Sequence, residues 1–315
     1  MAQNKKEFLI SENQGITKET NSKSIQFGAN LADLVEKEGT EIPNIVISLC
    51  EHIIITESYK VEGIFRIPAL TSSLLKFKDL YNSGITVNLE DETPILICDL
   101  LKEFIRDLSL FFLRFFNFFI FKPFFFPKSR EPLLTYERFA KWMLASSIED
   151  EKMKMKYFRG LLASLPLPNR HLTEYLLNFL MIVNSFSETN KLTIENITIL
   201  FGPLFLADPI YETKKLGKKK IEMNQSFIEV FKNINNVTLY LLQNYSLLFQ
   251  NLDRSGLVFA KAKQSVTPKS PSDLKFKKGD IIAVFHKQED LWFGECRLKI
   301  GSFDPQLVTK IESTF

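Results

Sequence analysis

The sequence has few cysteines and histidines, and their spacing is not that of a metal site. Its three cysteines, Cys50, Cys98 and Cys296, lie far apart in the chain, and the three histidines are isolated from one another. Zinc sites need closely spaced pairs of such ligands, and an odd number of cysteines disfavours a disulfide framework. We therefore expect no metal and no cofactor, and a reducing intracellular compartment.

A strong charge of either sign is also missing. With 40 Lys and Arg against 37 Asp and Glu, the net charge is +3, which is too small to indicate a nucleic-acid partner. The N-terminus has no apolar segment of the kind found in secretory signals, and no GxxxxGK[ST] motif for nucleotide binding is present. A cytoplasmic protein that binds no nucleotide itself is expected.

What is present divides the chain into regions of different periodicity. Residues 1–25 are polar and predict a flexible leader. Residues 26–250 carry apolar residues at helical spacing and predict an all-α domain, whereas residues 256–312 alternate short β-branched and aromatic runs with turns and predict a small β-barrel. Two helical segments define buried faces, formed by Leu101, Phe104, Ile105 and Leu108, and by Leu172, Leu176, Phe179, Leu180 and Val183.

One arginine lies in an otherwise apolar run, VEGIFRIPA, at residues 61–69. The simplest interpretation of Arg66 is a side chain whose stem packs on the surface while its charged head stays in water. The alternative is that Gly63 permits a tight bend, Ile64 and Phe65 anchor the loop in the core, and the guanidinium is held out toward a partner.

The helical region resembles the GTPase-activating domain for Rho-family small G proteins. The similar motifs occur in one order: FGANLADLVEKEGTEIPNIVISLCEHI, GIFRIPA, LLKEFIRDL, EPLLTYERF, LLASLPLPNRHLTEYLLNFL, NKLTIENITILFGP and NNVTLYLLQNYSLLF. The resemblance implies a regulator of signal transduction and the actin cytoskeleton that is not itself an enzyme. It would supply Arg66 in trans, as an arginine finger, to a Rho, Rac or Cdc42 type GTPase in its GTP-bound form, and would join that GTPase at the membrane.

The resemblance assigns further residues one at a time. Lys102 and Arg106 match a lysine and an arginine that face the GTPase and brace the finger, and their spacing predicts that both lie on the exposed face of one helix. Asn190 and Asn196 match asparagines that hydrogen-bond near the GTPase switches and the finger. The alternative for Lys102 and Arg106 is a solvated basic face, and the alternative for each asparagine is a helix cap.

Two positions depart from the family pattern. Leu204 follows FGP where asparagine is usual, and Asn233 stands near the last helix where proline is usual. These two departures put in doubt the identity of the GTPase that is recognised. They put the expected chemistry in doubt to a lesser degree. The alternative function is a catalytically weak scaffold that binds a Rho GTPase and brings a second partner through the barrel.

The C-terminal region resembles a Src-homology 3 (SH3) domain, which binds PxxP peptides in an aromatic groove. Trp292 is predicted to remain as one wall of that groove, but Gln264, Val266, Asp304 and Leu307 replace its other usual residues. A PxxP ligand, a different ligand and intramolecular packing stay open. Core positions of the barrel are predicted at Ala262, Phe276, Gly279, Ile282, Val284, Gly294 and Val308.

A phenylalanine-rich block, residues 109–130, fits neither region and contains one third of the 30 phenylalanines. Charged residues and proline interrupt it, so no apolar run of about 18 residues remains to span a membrane. Without the block its flanks form a pattern close to the family's. Three interpretations stay open: translated non-coding sequence, an insertion that dips into a membrane, or extra core packing. With the basic stretch 214–220, the second would make a peripheral membrane protein.

Overall fold

The computed structural model describes residues 25–85, 87–109, 131–209, 225–250, 252, 258–268, 270, 273–287, 290–296 and 299–310. Its first part is helical and its last part is built of strands, so the expected fold class, an all-α region followed by a small all-β region, is confirmed. The α-helices are α1 (Leu31–Glu38), α2 (Asn44–Ile55), α3 (Thr71–Asn82), α4 (Pro94–Ser109), α5 (Phe139–Ser146), α6 (Glu151–Ser164), α7 (Leu167–Asn184), α8 (Ser187–Asn190), α9 (Ile194–Phe205), α10 (Gln225–Gln243) and α11 (Tyr245–Phe249).

Several helix ends follow directly from local sequence. The side chains of Asn30, Asp150 and Thr193 accept hydrogen bonds from backbone N–H groups in the first turns of α1, α6 and α9. These groups have no partner within their own helix, so a capping side chain stabilises the helix start by about 1 kcal/mol. Gly39 ends α1 with φ of +67°, a conformation that costs glycine little.

The helices enclose one hydrophobic core, and α4 and α7 contribute to it as expected. Every residue predicted for the two buried faces is at most 3% exposed, so both faces are confirmed. Helices α9 and α10 approach closely at Gly202, where an added Cβ would lie 2.9 Å from Oδ1 of Asn235. The core therefore fixes the relative positions of α4, α7 and α9, which carry the candidate site.

The C-terminal part forms a five-stranded antiparallel sheet with strand order β4-β3-β2-β1-β5. The strands are β1 (Val258–Ala262), β2 (Ile281–Lys287), β3 (Trp292–Cys296), β4 (Lys299–Phe303) and β5 (Val308–Lys310). Six of the seven predicted core positions are buried. The prediction for Gly279 is wrong: this residue is exposed in a turn with φ of +89°, so its glycine serves the turn and not the core.

Some predictions lie outside the described residues. They concern the leader, the phenylalanine-rich block beyond Ser109 and the basic stretch 214–220. The three interpretations of the block stay predictions, as do the exact domain boundaries.

Candidate functional site

The Arg66 loop (residues 61–69) is closed by hydrogen bonds within its own backbone. The N–H groups of Arg66 and Ile67 both donate to the carbonyl oxygen of Gly63, at 3.0 Å. Gly63 has φ of +77°, where a side chain is strained, and a Cβ built there would lie 2.6 Å from Cδ1 of Ile67. The tight turn therefore requires glycine at this position.

Phe65 anchors the loop in the helical core. Its φ of +61° is strained for a bulky residue, at a cost of about 1–3 kcal/mol. Its ring is fully buried and meets the rings of Phe201 and Phe179 edge to face, with centroids 5.3 and 6.1 Å away. Burial of such a side chain contributes about 1.5–3 kcal/mol, which offsets the strain.

Arg66 points outward from this anchored turn. It is exposed, and within the described ranges no hydrogen bond or ion pair to its side chain is found. An arginine finger would be contradicted if Arg66 folded inward and paired with an internal carboxylate. The described residues do not show that arrangement. The guanidinium is available to a partner.

Asn190 lies at the base of the loop and is fully buried. Its side-chain NH₂ donates to the carbonyl oxygens of Tyr59 and Val183, each at 2.9 Å, and its Oδ1 accepts from the N–H of Leu192 at 2.7 Å. Its backbone carbonyl accepts from the N–H of Gly63 at 3.0 Å. Both amide hydrogens are thus used internally, which fits a role in positioning the loop and leaves neither for a GTPase.

Lys102 also faces the loop rather than solvent. Its side chain is 12% exposed, and its Nζ donates to the carbonyl oxygen of Phe65 and pairs with Oδ1 of Asp99, each at 2.6 Å. The expectation that Lys102 lies on an exposed face is therefore wrong. Packing of the loop against α4 covers this part of the helix, and a buried ammonium group needs such partners.

Arg106 lies one turn further along α4 and remains at the surface, with 47% of its side chain exposed. It forms an ion pair with Glu103, which also pairs with Lys78 at 2.8 Å. Lys78 in turn pairs with Asp107 at 2.8 Å. Arg106 therefore keeps the exposure that a contact with another protein requires.

Asn196 is half-buried in the first turn of α9. The capping side chain of this helix is Thr193, whose Oγ1 accepts from the N–H of Asn196 at 3.4 Å. The alternative of Asn196 as the helix cap is therefore not what the structure contains. Its contact with a GTPase stays a prediction.

Trp292 is half-buried on β3 and packs on the core of the β-sheet. Its ring centroid lies 6.3 Å from that of Phe303, and the two residues are register partners. It alternates in phase with Gly294 and Cys296, which are both buried. Packing on the core thus explains much of the burial of this side chain, and its role as a groove wall stays a prediction. At the replaced groove positions, Gln264 and Asp304 are exposed.

The two cysteines of the helical core are buried, and burial does not favour a reactive thiol. Desolvation raises the pKa of the Cys50 and Cys98 thiols well above the ordinary value. Among the described residues, no group of three or more His, Cys, Asp or Glu side chains could hold a metal ion. No helix in the same ranges combines the length and apolar character needed to cross a bilayer.

Comparison with protein families decides where this arrangement belongs. The family model of the RhoGAP domain matches residues 43–116 and 120–210, just over half of the chain. The chain belongs to the RhoGAP family. A second family model, the variant SH3 domain, matches residues 259–311 and covers the β-sheet.

Relatives agree with this assignment. Rho GTPase-activating protein gacJJ of Dictyostelium discoideum is 28% identical over 278 residues, 85% of this chain and 29% of that protein. Rho GTPase-activating protein 17 of Mus musculus is 29% identical over 182 residues, 57% of this chain and 19% of that protein. The chain thus spans less than a third of either relative. The crystal structure of human Rho GTPase-activating protein 15 covers 72% of this chain and 93% of its own, with a TM-score of 0.57 and 22% identity, which supports the helical fold.

Within the RhoGAP domain, sequence reasoning missed Asp99, which contacts both Lys102 and the backbone of the Arg66 loop. Asp99 lies one turn before Lys102, and this spacing alone predicts an ion pair. Its second contact, from the backbone of Ala69, could not be predicted because it joins positions 30 residues apart. No sequence signal marks the left-handed conformation of Phe65 either, since bulky residues rarely adopt it.

Proposed function

We propose that this chain accelerates GTP hydrolysis by a Rho-family GTPase, and that Arg66 is the finger it inserts into the partner's active site. One observation carries the proposal: Phe65 is locked in the core while its neighbour Arg66 is exposed without an internal partner in the described part of the chain. Membership of the RhoGAP family supports it.

The chemistry requires a fixed positive charge. Transfer of the γ-phosphoryl group to water develops negative charge on phosphate oxygens, and arginine supplies an always-protonated planar fork that stabilises it. An arginine finger is worth about 10³–10⁵ in rate. Because the loop is already closed around Gly63 and anchored at Phe65, little freedom is lost when Arg66 docks.

The surface around Arg66 suits a protein partner. Val61, Ile67 and Leu70 are exposed apolar residues of the loop region or its border. Such side chains gain free energy when a partner removes them from water. Arg106 and Asn196 keep polar groups at or near the surface, and we propose that they contact the GTP-bound GTPase there.

The test is single-turnover hydrolysis by a GTP-loaded Rho-type GTPase, measured over a range of activator concentrations. Arg66→Ala is expected to lower the maximal stimulated rate by about 10³ or more while affinity for the GTPase changes little. Arg66→Lys keeps the charge but loses the fork, so it should recover only a small part of the rate. Lys152→Ala on α6 removes the same unit of charge from an exposed position and serves as the matched control.

An unchanged maximal rate for Arg66→Ala would contradict the finger. If wild-type protein binds the GTPase without stimulating hydrolysis at all, the scaffold function replaces this proposal. The variant SH3 match favours a second binding module in either case, and we propose that it brings a second protein to the cytoplasmic complex.

A further inference from the structure

The polar face of α4 presents a row of charged side chains to the Arg66 loop and to α3. Asp99, Lys102, Glu103, Arg106 and Asp107 recur every three or four residues, so they lie along one side of the helix. In the described part of the chain, hydrogen bonds to the loop come from the first two, Asp99 and Lys102. The others pair with one another and with Lys78.

Asp99 uses its two oxygens for different tasks. Its Oδ1 lies 2.6 Å from Nζ of Lys102, and its Oδ2 accepts from the backbone N–H of Ala69 at 2.5 Å. Its side chain is only 11% exposed, so water competes weakly for either oxygen. Without Asp99, the largely buried ammonium of Lys102 would lose its described counter-ion, and the N–H of Ala69 would lose its acceptor.

One ion pair therefore holds the loop at two points on either side of the finger. Lys102 binds the carbonyl oxygen of Phe65, immediately before Arg66, and Asp99 binds the N–H of Ala69, three residues after it. The carbonyl held by Lys102 belongs to the residue with left-handed φ, whose strain favours another backbone conformation. The segment between these two points is short, and its middle is not tied to α4 by any described hydrogen bond.

We propose that Asp99 is a positioning residue for the arginine finger, acting through Lys102 and Ala69 to fix the direction in which Arg66 leaves the surface. This inference rests on the proposed function, since it assigns Asp99 a task only if Arg66 acts on a phosphate. In this proposal Asp99, whose side chain is only 11% exposed, acts through these two contacts and not by touching the partner or the nucleotide.

The experiment uses the full chain with GTP-loaded Rho, Rac or Cdc42 type GTPase, whichever the wild-type chain stimulates most. Asp99→Ala removes both contacts and should lower the maximal single-turnover rate on the order of 10²-fold, the effect typical of an ångström-scale misplacement. The half-saturating concentration should change little. Asp99→Asn keeps an oxygen for Ala69 but loses the charge opposite Lys102, so it should fall between Asp99→Ala and wild type.

Asp107→Asn is the matched control. Asp107 lies on the same helix, is 14% exposed and is paired with a lysine, Lys78, but it makes no described contact with the loop. It should lose somewhat less stability than Asp99→Asn in urea unfolding, because Lys78 keeps Glu103 as a partner, and it should keep the wild-type maximal rate. Equal losses of rate in the two variants would mean that Asp99 acts on stability alone, and would overturn the inference.

A double-mutant cycle separates this inference from the proposed function. In the Arg66→Ala background, Asp99→Asn should lower the residual rate no further, because in this proposal the contacts of Asp99 with Lys102 and Ala69 act only through the finger. An undiminished effect in that background would overturn the inference. If Arg66→Ala lowers the rate but Asp99→Ala and Asp99→Asn do not, the inference fails alone, and if Arg66→Ala has no effect, both fail.

Discussion

Gly63→Ala tests whether the closed turn, and not merely the presence of an arginine, sets the stimulated rate. Alanine at φ of +77° is strained by about 1–2 kcal/mol. The new Cβ would also lie 2.6 Å from Cδ1 and 3.0 Å from Cγ1 of Ile67, so that side chain must leave its rotamer. This displacement adds about 1 kcal/mol, for a total of roughly 2–3 kcal/mol.

The chain offers a matched control at Gly39. This residue ends α1 with φ of +67°, and a Cβ built there meets no atom within 4 Å. Gly39→Ala should therefore cost only the backbone strain, about 1–2 kcal/mol. The difference of about 1 kcal/mol between the two variants, roughly a factor of five in the unfolding equilibrium, isolates the close contact with Ile67.

Urea unfolding measures both free energies, and single-turnover GTP hydrolysis measures the functional consequence. Ile67 follows Arg66 directly and shares its hydrogen-bond acceptor at Gly63, so moving it should displace the guanidinium and lower the maximal rate by about 10–100-fold. Gly39→Ala should leave that rate unchanged. A Gly63→Ala protein that is destabilised as described yet stimulates hydrolysis normally would refute the argument that the turn geometry fixes the finger.

Two further outcomes are expected. Asn190→Ala leaves the carbonyls of Tyr59 and Val183 and the N–H of Leu192 without their side-chain partner. It should therefore lower the free energy of unfolding, measured by urea titration, by roughly 3 kcal/mol or more. An unfolding midpoint equal to that of the wild type would contradict these hydrogen bonds. A PxxP peptide should leave the fluorescence of Trp292 unchanged, because two of the replaced groove positions, Gln264 and Asp304, present exposed polar side chains; a saturable change, absent in Trp292→Phe, would show that the groove still binds such ligands.

Much of the helical architecture could be predicted from periodicity alone. Apolar residues three and four apart must share a face, and Leu172, Leu176 and Phe179 are indeed buried together on α7. The resemblance placed Arg66 in the site, and its exposure is consistent with that role. The prediction of the buried faces succeeded because it depends on local spacing and not on one distant contact, whereas the role of Arg66 stays a prediction.

The direction of the polar side chains could not be predicted in this way. Spacing indicates that Lys102 and Arg106 share a face of α4, but it does not indicate that residue 65 covers only the first of them. Asn190 meets the carbonyl of Tyr59, 131 positions earlier in the chain. Such contacts arise from the tertiary packing of α4, α8 and the loop, about which local sequence carries no information.

This division between inward and outward polar groups leads to a kinetic distinction. The side chains of Asp99, Lys102 and Asn190 each hydrogen-bond to a backbone atom within the Arg66 loop or just before it in the chain. Each should therefore act on the maximal rate through the position of Arg66. Arg106 keeps nearly half of its side chain in solvent and should act on the affinity for the GTPase. Arg106→Ala should therefore raise the half-saturating concentration more than it lowers the maximal rate. If Arg106→Ala instead lowers the maximal rate more than it raises the half-saturating concentration, the conformation of the Arg66 loop would depend on contact with the partner.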